Sequence, residues 1–168
     1  MKYKKNLIYI LIIFFSTISL SKSNENISTL SLLIQSSTSI TGDNVKLSER
    51  LYIPARKLRG FEAGKVGPKD GSDYVGGNYV STINATSTIP NILENIQSVD
   101  IVMFADVGNI WGVDYNSSLD IDEIRSSVGV GLDWLTPVGP LTFSLAHPIT
   151  QAESDVTEMF RFNLGTSF

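Results

Sequence analysis

The chain has 168 residues, enough for one domain of ordinary size and too few for two. Apolar residues make up 42% and charged residues 18%, below the roughly 25% charged share of soluble domains, which argues against disorder and against an ordinary soluble surface. The absence of cysteine excludes a disulfide framework, a thiolate metal site and a cysteine nucleophile, and the net charge of −4 speaks against nucleic acid as a partner.

In chain order, Lys2, Lys4 and Lys5 precede an apolar run from Leu7 to Phe15 that tapers to Leu20, and Ser19-Leu20-Ser21 places small residues at alternate positions. This predicts a secretory signal peptide over residues 1–23; an N-terminal membrane anchor, a buried strand or a non-native start compete with it. The run is short for a membrane helix, which needs about 20 apolar residues. Export without cysteine suits a bacterial cell envelope. Every acidic residue lies at or beyond Glu25; without the first 24 residues the chain carries nine positive and seventeen negative side chains, net −8. Seven of the nine positives fall between Lys46 and Lys69, a basic segment that stands out in an acidic chain.

Beyond residue 25 the dominant period is two, so strands are expected. They are placed near 27–37, 44–54, 76–89, 99–111, 125–136, 141–148 and 159–168. Phe160, Phe162, Leu164, Thr166 and Phe168 alternate with Arg161, Asn163, Gly165 and Ser167, and Val128, Val130, Leu132 and Trp134 with Ser127, Gly129, Gly131 and Asp133. Several segments reach the 9–11 residues, roughly, of a tilted transmembrane strand. Short and long connections alternate, as they do between the two rims of an outer-membrane barrel, which puts the C-terminus on the short-turn, periplasmic rim. Trp111 and Trp134 fit the aromatic girdles at the two interfaces. A soluble β-sandwich, with both tryptophans in its core, is the competing fold.

Sequence motifs for catalysis are scarce. There is no G-x-S-x-G elbow, P-loop or H-E-x-x-H, and His147 is the lone histidine. Gly129-Val130-Gly131 opens like a dinucleotide fingerprint, but Trp134 stands where the third glycine belongs. Asp114, Asn116 and Ser118 have calcium-loop spacing, yet Leu119 and Arg125 occupy the glycine and closing glutamate positions. The expectation is a protein without enzymatic activity, catalytic residues, cofactor or metal.

Four ordered motifs carry a resemblance that runs from about residue 27 to the end. Leu58-Arg59-Gly60-Phe61 looks like the R-G-F/Y motif of a long inward-folded loop, and Phe104-Ala105-Asp106-Val107-Gly108 like an F-x-D-x-G strand. Gly129 to Leu141 is similar to a G-x-G-x-x-W-x-[ST]-P-x-G-P-L turn, and Phe160 to Phe168 to a closing strand. Together they resemble the barrel of the BamA family of outer-membrane protein assembly factors, in the bacterial surface antigen superfamily. The resemblance implies an all-β fold, the C-terminal part of an antiparallel transmembrane barrel of about 16 strands, spanning residues 24–168 with an inward-folded loop over 55–75. It implies that Arg59 sits at the loop tip, Gly60 permits a tight backbone and Phe61 packs on the inner wall. Period two puts Val102, Phe104, Asp106 and Gly108 on one face, so Asp106 points into the lumen where a guanidinium could fork onto it. Phe160, Phe162, Leu164 and Phe168 would form the C-terminal recognition signal read by the assembly machinery, by the logic of strand addition.

About seven strands are fewer than the roughly eight of the smallest single-chain bacterial barrels, so closure by this chain alone is not expected, and a truncated, split or fragmentary product is. The function implied is insertion of barrel proteins into the bacterial outer membrane. Outer-membrane lipid, nascent barrel proteins and assembly lipoproteins are the partners, and nucleic acid is not. A two-partner-secretion translocator, which shares the R-G-F and F-x-D-x-G motifs, and a small structural outer-membrane protein or inactive fragment are the alternatives.

Overall fold

A computed structural model describes residues 26–40, 42–90, 98–120 and 122–165. The expected signal segment over 1–23 and Phe168 lie outside the described residues. Among the described residues ten strands follow one another: β1 (Ile27–Ser36), β2 (Gly60–Phe61), β3 (Lys69–Asp70), β4 (Asp73–Tyr74), β5 (Tyr79–Ile89), β6 (Val99–Trp111), β7 (Arg125–Thr136), β8 (Gly139–Thr150), β9 (Thr157–Glu158) and β10 (Phe160–Leu164). Six of them form one antiparallel sheet in the order β1-β5-β6-β7-β8-β10, while β2 pairs with β9 and β3 with β4. The strands β5 to β8 run 11 to 13 residues; at about 3.3 Å per residue and the usual barrel tilt, that crosses an apolar band of roughly 25 Å.

Alternation dictates the two faces. Phe104, Asp106 and Ile110 of β6 are wholly buried on the inner face, opposite Thr86, Asn84 and Val80 on β5. On the outer face Leu30, Leu32 and Ile34 of β1, Ile83, Val130, Leu145, Phe160, Phe162 and Leu164 are exposed. So much exposed apolar surface is the inverse of a soluble protein and marks the lipid-facing band. Trp111 and Trp134 stand at opposite ends of the sheet, Trp111 stacked 5.8 Å from Tyr79, and His147 is exposed on the outer face. The sheet does not close among the described residues: β1 pairs only with β5 and β10 only with β8. It is a partial barrel wall.

The expected strand over 44–54 is replaced by irregular chain with a short 3-10 turn at Leu47–Glu49 and one isolated bridge, Leu51 to Gly77. The large sheet therefore has six strands where seven were expected. Val45 and Ile53 are buried with Leu51 partly so, but Leu47 and Glu49 are exposed and Arg50 is buried, so the alternation a strand would need is broken. Consequently β1 pairs directly with β5, Ile27 opposite Thr88 and Ser36 opposite Tyr79. The connection from β1 to β5 accordingly spans 37–78 and contains the expected inward segment 55–75, and Ile27 lies on the rim of the short turns. The part of this connection around Ile53 to Val66 lies against the concave side of the sheet. Its Ile53, Leu58, Phe61 and Val66 bury themselves against Val80 and Ile110 of the wall, so the apolar core lies between loop and inner wall.

Candidate functional site

The Arg59-Gly60-Phe61 tip of the loop meets the centre of the inner wall. Asp106, at the middle of β6, has no exposed side-chain surface. Its Oδ2 accepts from the Arg59 backbone N–H (3.0 Å) and Nε (2.7 Å), and its Oδ1 accepts from Arg59 Nη2 (2.7 Å) and Asn84 Nδ2 (2.9 Å). Four donors meet the carboxylate's four lone-pair positions, which is what lets a charge be buried there. The guanidinium also lies over the Phe104 ring, 3.5 Å from its centroid, a planar stack that lysine cannot make. Gly129, opposite Phe104 on β7, leaves room for that ring, since a Cβ there would come within 2.3 Å of Phe104 Cζ.

The backbone on either side of the tip is held by side chains of the wall. Ser127 Oγ donates to the Arg59 carbonyl at 2.5 Å, Asn84 Nδ2 to that of Lys57 at 2.8 Å, and Arg161 on β10 to those of Ala55 and Phe61 at 2.6 and 2.5 Å. Gly60 has φ +92°, and a Cβ would stand 3.2 Å from Ala146 Cβ and 3.3 Å from Ser127 Cβ; both the left-handed backbone and the close approach call for glycine. Phe61 is almost fully buried in the core. Below the tip the inner wall borders an open cavity of about 1470 Å³, lined by polar groups such as Thr86, Asp133, Thr142 and Asn163 and roofed by Arg56 and Lys57.

Of the residues singled out from sequence, Leu58, Arg59, Gly60 and Phe61 come together with Phe104 and Asp106 at this one place. Gly108 lies on the same face of β6, nearer the long-loop rim. Phe160, Phe162 and Leu164 do not join them; they point outward, Phe162 against Phe143 at 5.1 Å between centroids. The calcium-like spacing at 114–118 is engaged internally: Asp114 accepts from Val45 N–H (2.6 Å) and Arg50 Nη2 (2.5 Å), and Asn116 caps the turn at Ser117–Leu119. The Val45 amide is the main cause that holds the Asp114 carboxyl below its ordinary pKa, helped by Asn78 and the Arg50 charge against the opposing effect of desolvation. Sequence reasoning missed Asn84, Ser127, Arg161 and the buried pair Arg125–Asp155. Asn84 and Ser127 had a usable signal, because they flank Asp106 in register on the inner face.

An open antiparallel wall with an apolar outside, a polar inside and a loop pinned within defines a segment of an outer-membrane β-barrel. The chain belongs to the Omp85 superfamily, whose domain matches residues 10–168. It is 31% identical over 139 residues to outer membrane protein assembly factor BamA of Neisseria meningitidis serogroup B, covering 66% of this chain and 17% of that protein. It is 28% identical over 145 residues to BamA of Neorickettsia risticii, covering 83% and 19%. The fold is similar to the crystal structure of BamA from Haemophilus ducreyi lacking POTRA domains 1-3, with TM-score 0.73 and 25% identity over 85% of this chain and 32% of that one. The chain thus spans less than a fifth of the length of these two bacterial relatives.

Proposed function

We propose that this chain is the part of an outer-membrane protein assembly factor that carries the inward loop and the wall it is pinned to, acting without enzymatic chemistry, cofactor or metal. The observation that carries this reading is the seating of Arg59 on Asp106, which fixes the inward loop against the wall. A barrel wall braced from inside is suited to binding a client by strand addition, in which edge backbone gives affinity and alternate side chains give specificity. Nascent barrel proteins would be the clients, lipid the surroundings and assembly lipoproteins the accessory partners. The two long connections after β6 and β8 lie on the same rim as loop 37–78, so the C-terminal end of β10 would face the periplasm. The match through the Pro137 turn favours this over a two-partner-secretion translocator.

The test is the folding of a bacterial outer-membrane barrel protein into lipid vesicles that contain this chain. Folding faster than into empty vesicles, with the gain lost in Arg59→Ala, is expected. Equal rates with and without the chain would overturn the reading.

A further inference from the structure

Loop 37–78 is tied down a second time, at a place remote from its tip. Arg125, the first residue of β7, and Asp155, in the connection between β8 and β10, have no exposed side-chain surface. Arg125 Nε donates to Asp155 Oδ2 at 2.8 Å and Nη2 to Oδ1 at 3.1 Å, while Nη1 reaches Asn109 Oδ1 on β6 (2.6 Å) and the Glu123 carbonyl (2.9 Å). Asp155 also accepts from the backbone N–H of Ala152 (2.8 Å) and of Gly67 in the inward loop (3.1 Å). One carboxylate therefore joins the wall, the 151–159 connection and loop 37–78.

The 151–159 connection is a strap across the inward loop. Val156 N–H donates to the Lys65 carbonyl (3.0 Å) and Glu62 N–H to that of Val156 (2.9 Å). Next along the strap, β9 pairs with β2, Thr157 opposite Phe61 and Glu158 opposite Gly60. Gly60 is one peptide from Arg59. Asp155 is thus the last side chain anchored to the wall before the strap becomes the strand partner of the tip.

We infer that Arg125 and Asp155 are positioning residues for Arg59: the pair fixes the strap, and the strap presents the tip so that the guanidinium fork reaches Asp106. Two physical arguments support this. A buried ion pair is a poor source of stability, since apolar residues of similar volume do as well, but its directional bonds can fix a register. A fork onto a carboxylate also needs both nitrogens in place, so a displaced tip loses the two-bond geometry that makes the interaction specific. The Asp155 carboxylate cannot be replaced by an amide without loss, because all four of its contacts are donors.

The chain contains no cysteine, so single thiols can report on the loop and on the wall separately. Leu58→Cys places one at a buried position beside Arg59, and Ser87→Cys another at a buried position on β5, on the face turned away from the loop. Maleimide labelling is measured on the folded chain in detergent, with Asp106→Asn marking the rate for a released tip. In Asp155→Asn, and in Arg125→Lys as a second variant that keeps the charge, labelling at Leu58→Cys is expected to rise about tenfold while Ser87→Cys is unchanged, as for local rather than global opening. A rise at both positions, or at neither, overturns the proposal. So does the failure of both variants to give a folded, fast-migrating band on a gel, which would make the pair a condition of folding. The inference rests on the reading of loop 37–78 as a working part of an assembly factor, but labelling needs no client. Raised labelling with unchanged client folding therefore counts against the function, and unchanged labelling counts against the clamp.

Discussion

In the wall, β5 to β8 satisfy their backbone groups against one another, and the side chains on the outer face meet lipid. Among the described residues of loop 37–78 the strand pairing is limited to the two-residue ladders of β2 with β9 and β3 with β4 and the bridge at Leu51, with scattered turn and strap bonds between backbone groups. The loop depends heavily on side chains as well: Asn84, Ser127 and Arg161 donate to its carbonyls, and Asp106 and Asp155 accept from its N–H groups. The wall is redundant, because no one side chain closes a ladder. The loop is not, because these groups are buried and Asn84, Arg161, Asp106 and Asp155 each serve several partners at once. Point changes should therefore divide sharply between the two regions.

The largest effect is expected at Asp106. Truncation to alanine strands the Arg59 guanidinium and the Asn84 amide, and removing one partner of a buried pair costs about 3–5 kcal/mol; Arg59 keeps some solvent, which argues for the lower end. Denaturant unfolding of Asp106→Ala, Arg59→Ala and the double variant should show strong coupling, and additive losses would mean that the pair does not act as one unit. On the wall the comparable change must be made against lipid. Leu32→Arg, near the middle of the outward face of β1, should cost roughly 2–4 kcal/mol if that position lies near the bilayer midplane, read as a lowered unfolding midpoint in bilayers. No loss would place β1 outside the apolar band.

Gly60→Ala comes next. It combines a left-handed backbone with contacts at 3.2 and 3.3 Å to Cβ atoms of two wall strands, and neither neighbour is a flexible end. About 1–3 kcal/mol is expected, together with faster digestion of the loop by protease, while the six-stranded wall keeps its circular dichroism. A variant as protected as the parent would show that the tip is not packed this closely.

The same contrast explains what could be read from the sequence. Period two located β6 and β7 to the residue, because a wall with lipid on one side and a polar bore on the other writes its pattern directly into alternate positions. It misread 44–54 because Val45, Leu47, Leu51 and Ile53 share a parity in the sequence, whereas in the fold Leu47 is exposed and Arg50 is buried, bonded to Val45 and Asp114 rather than to a neighbouring strand. The tip was legible only through the order of its motifs. Arg125 and Asp155 left no trace, since a pair 30 residues apart, on a strand end and in a connection, has no spacing rule.

The smallest effect is a pH dependence at the rim end of the loop, where it meets the connection after β6. Asp114 clips residues 45–50 to the connection after β6, and its pKa is lowered from an ordinary 3.8, chiefly by the Val45 N–H. A carboxylate with a depressed folded pKa contributes stability that is fully present above its unfolded pKa and lost as pH falls through the folded one. The difference in unfolding midpoint between the parent chain and Asp114→Asn should therefore be constant at neutral pH and shrink only below about pH 4. Taking that difference cancels the other carboxylates, which titrate in both chains. The clip is partly exposed and screened by salt, so the gap should also narrow as ionic strength rises, whereas the gap for Asp106→Ala should not. If both gaps respond alike to salt, the division between a solvated outer clip and a buried inner pin is wrong.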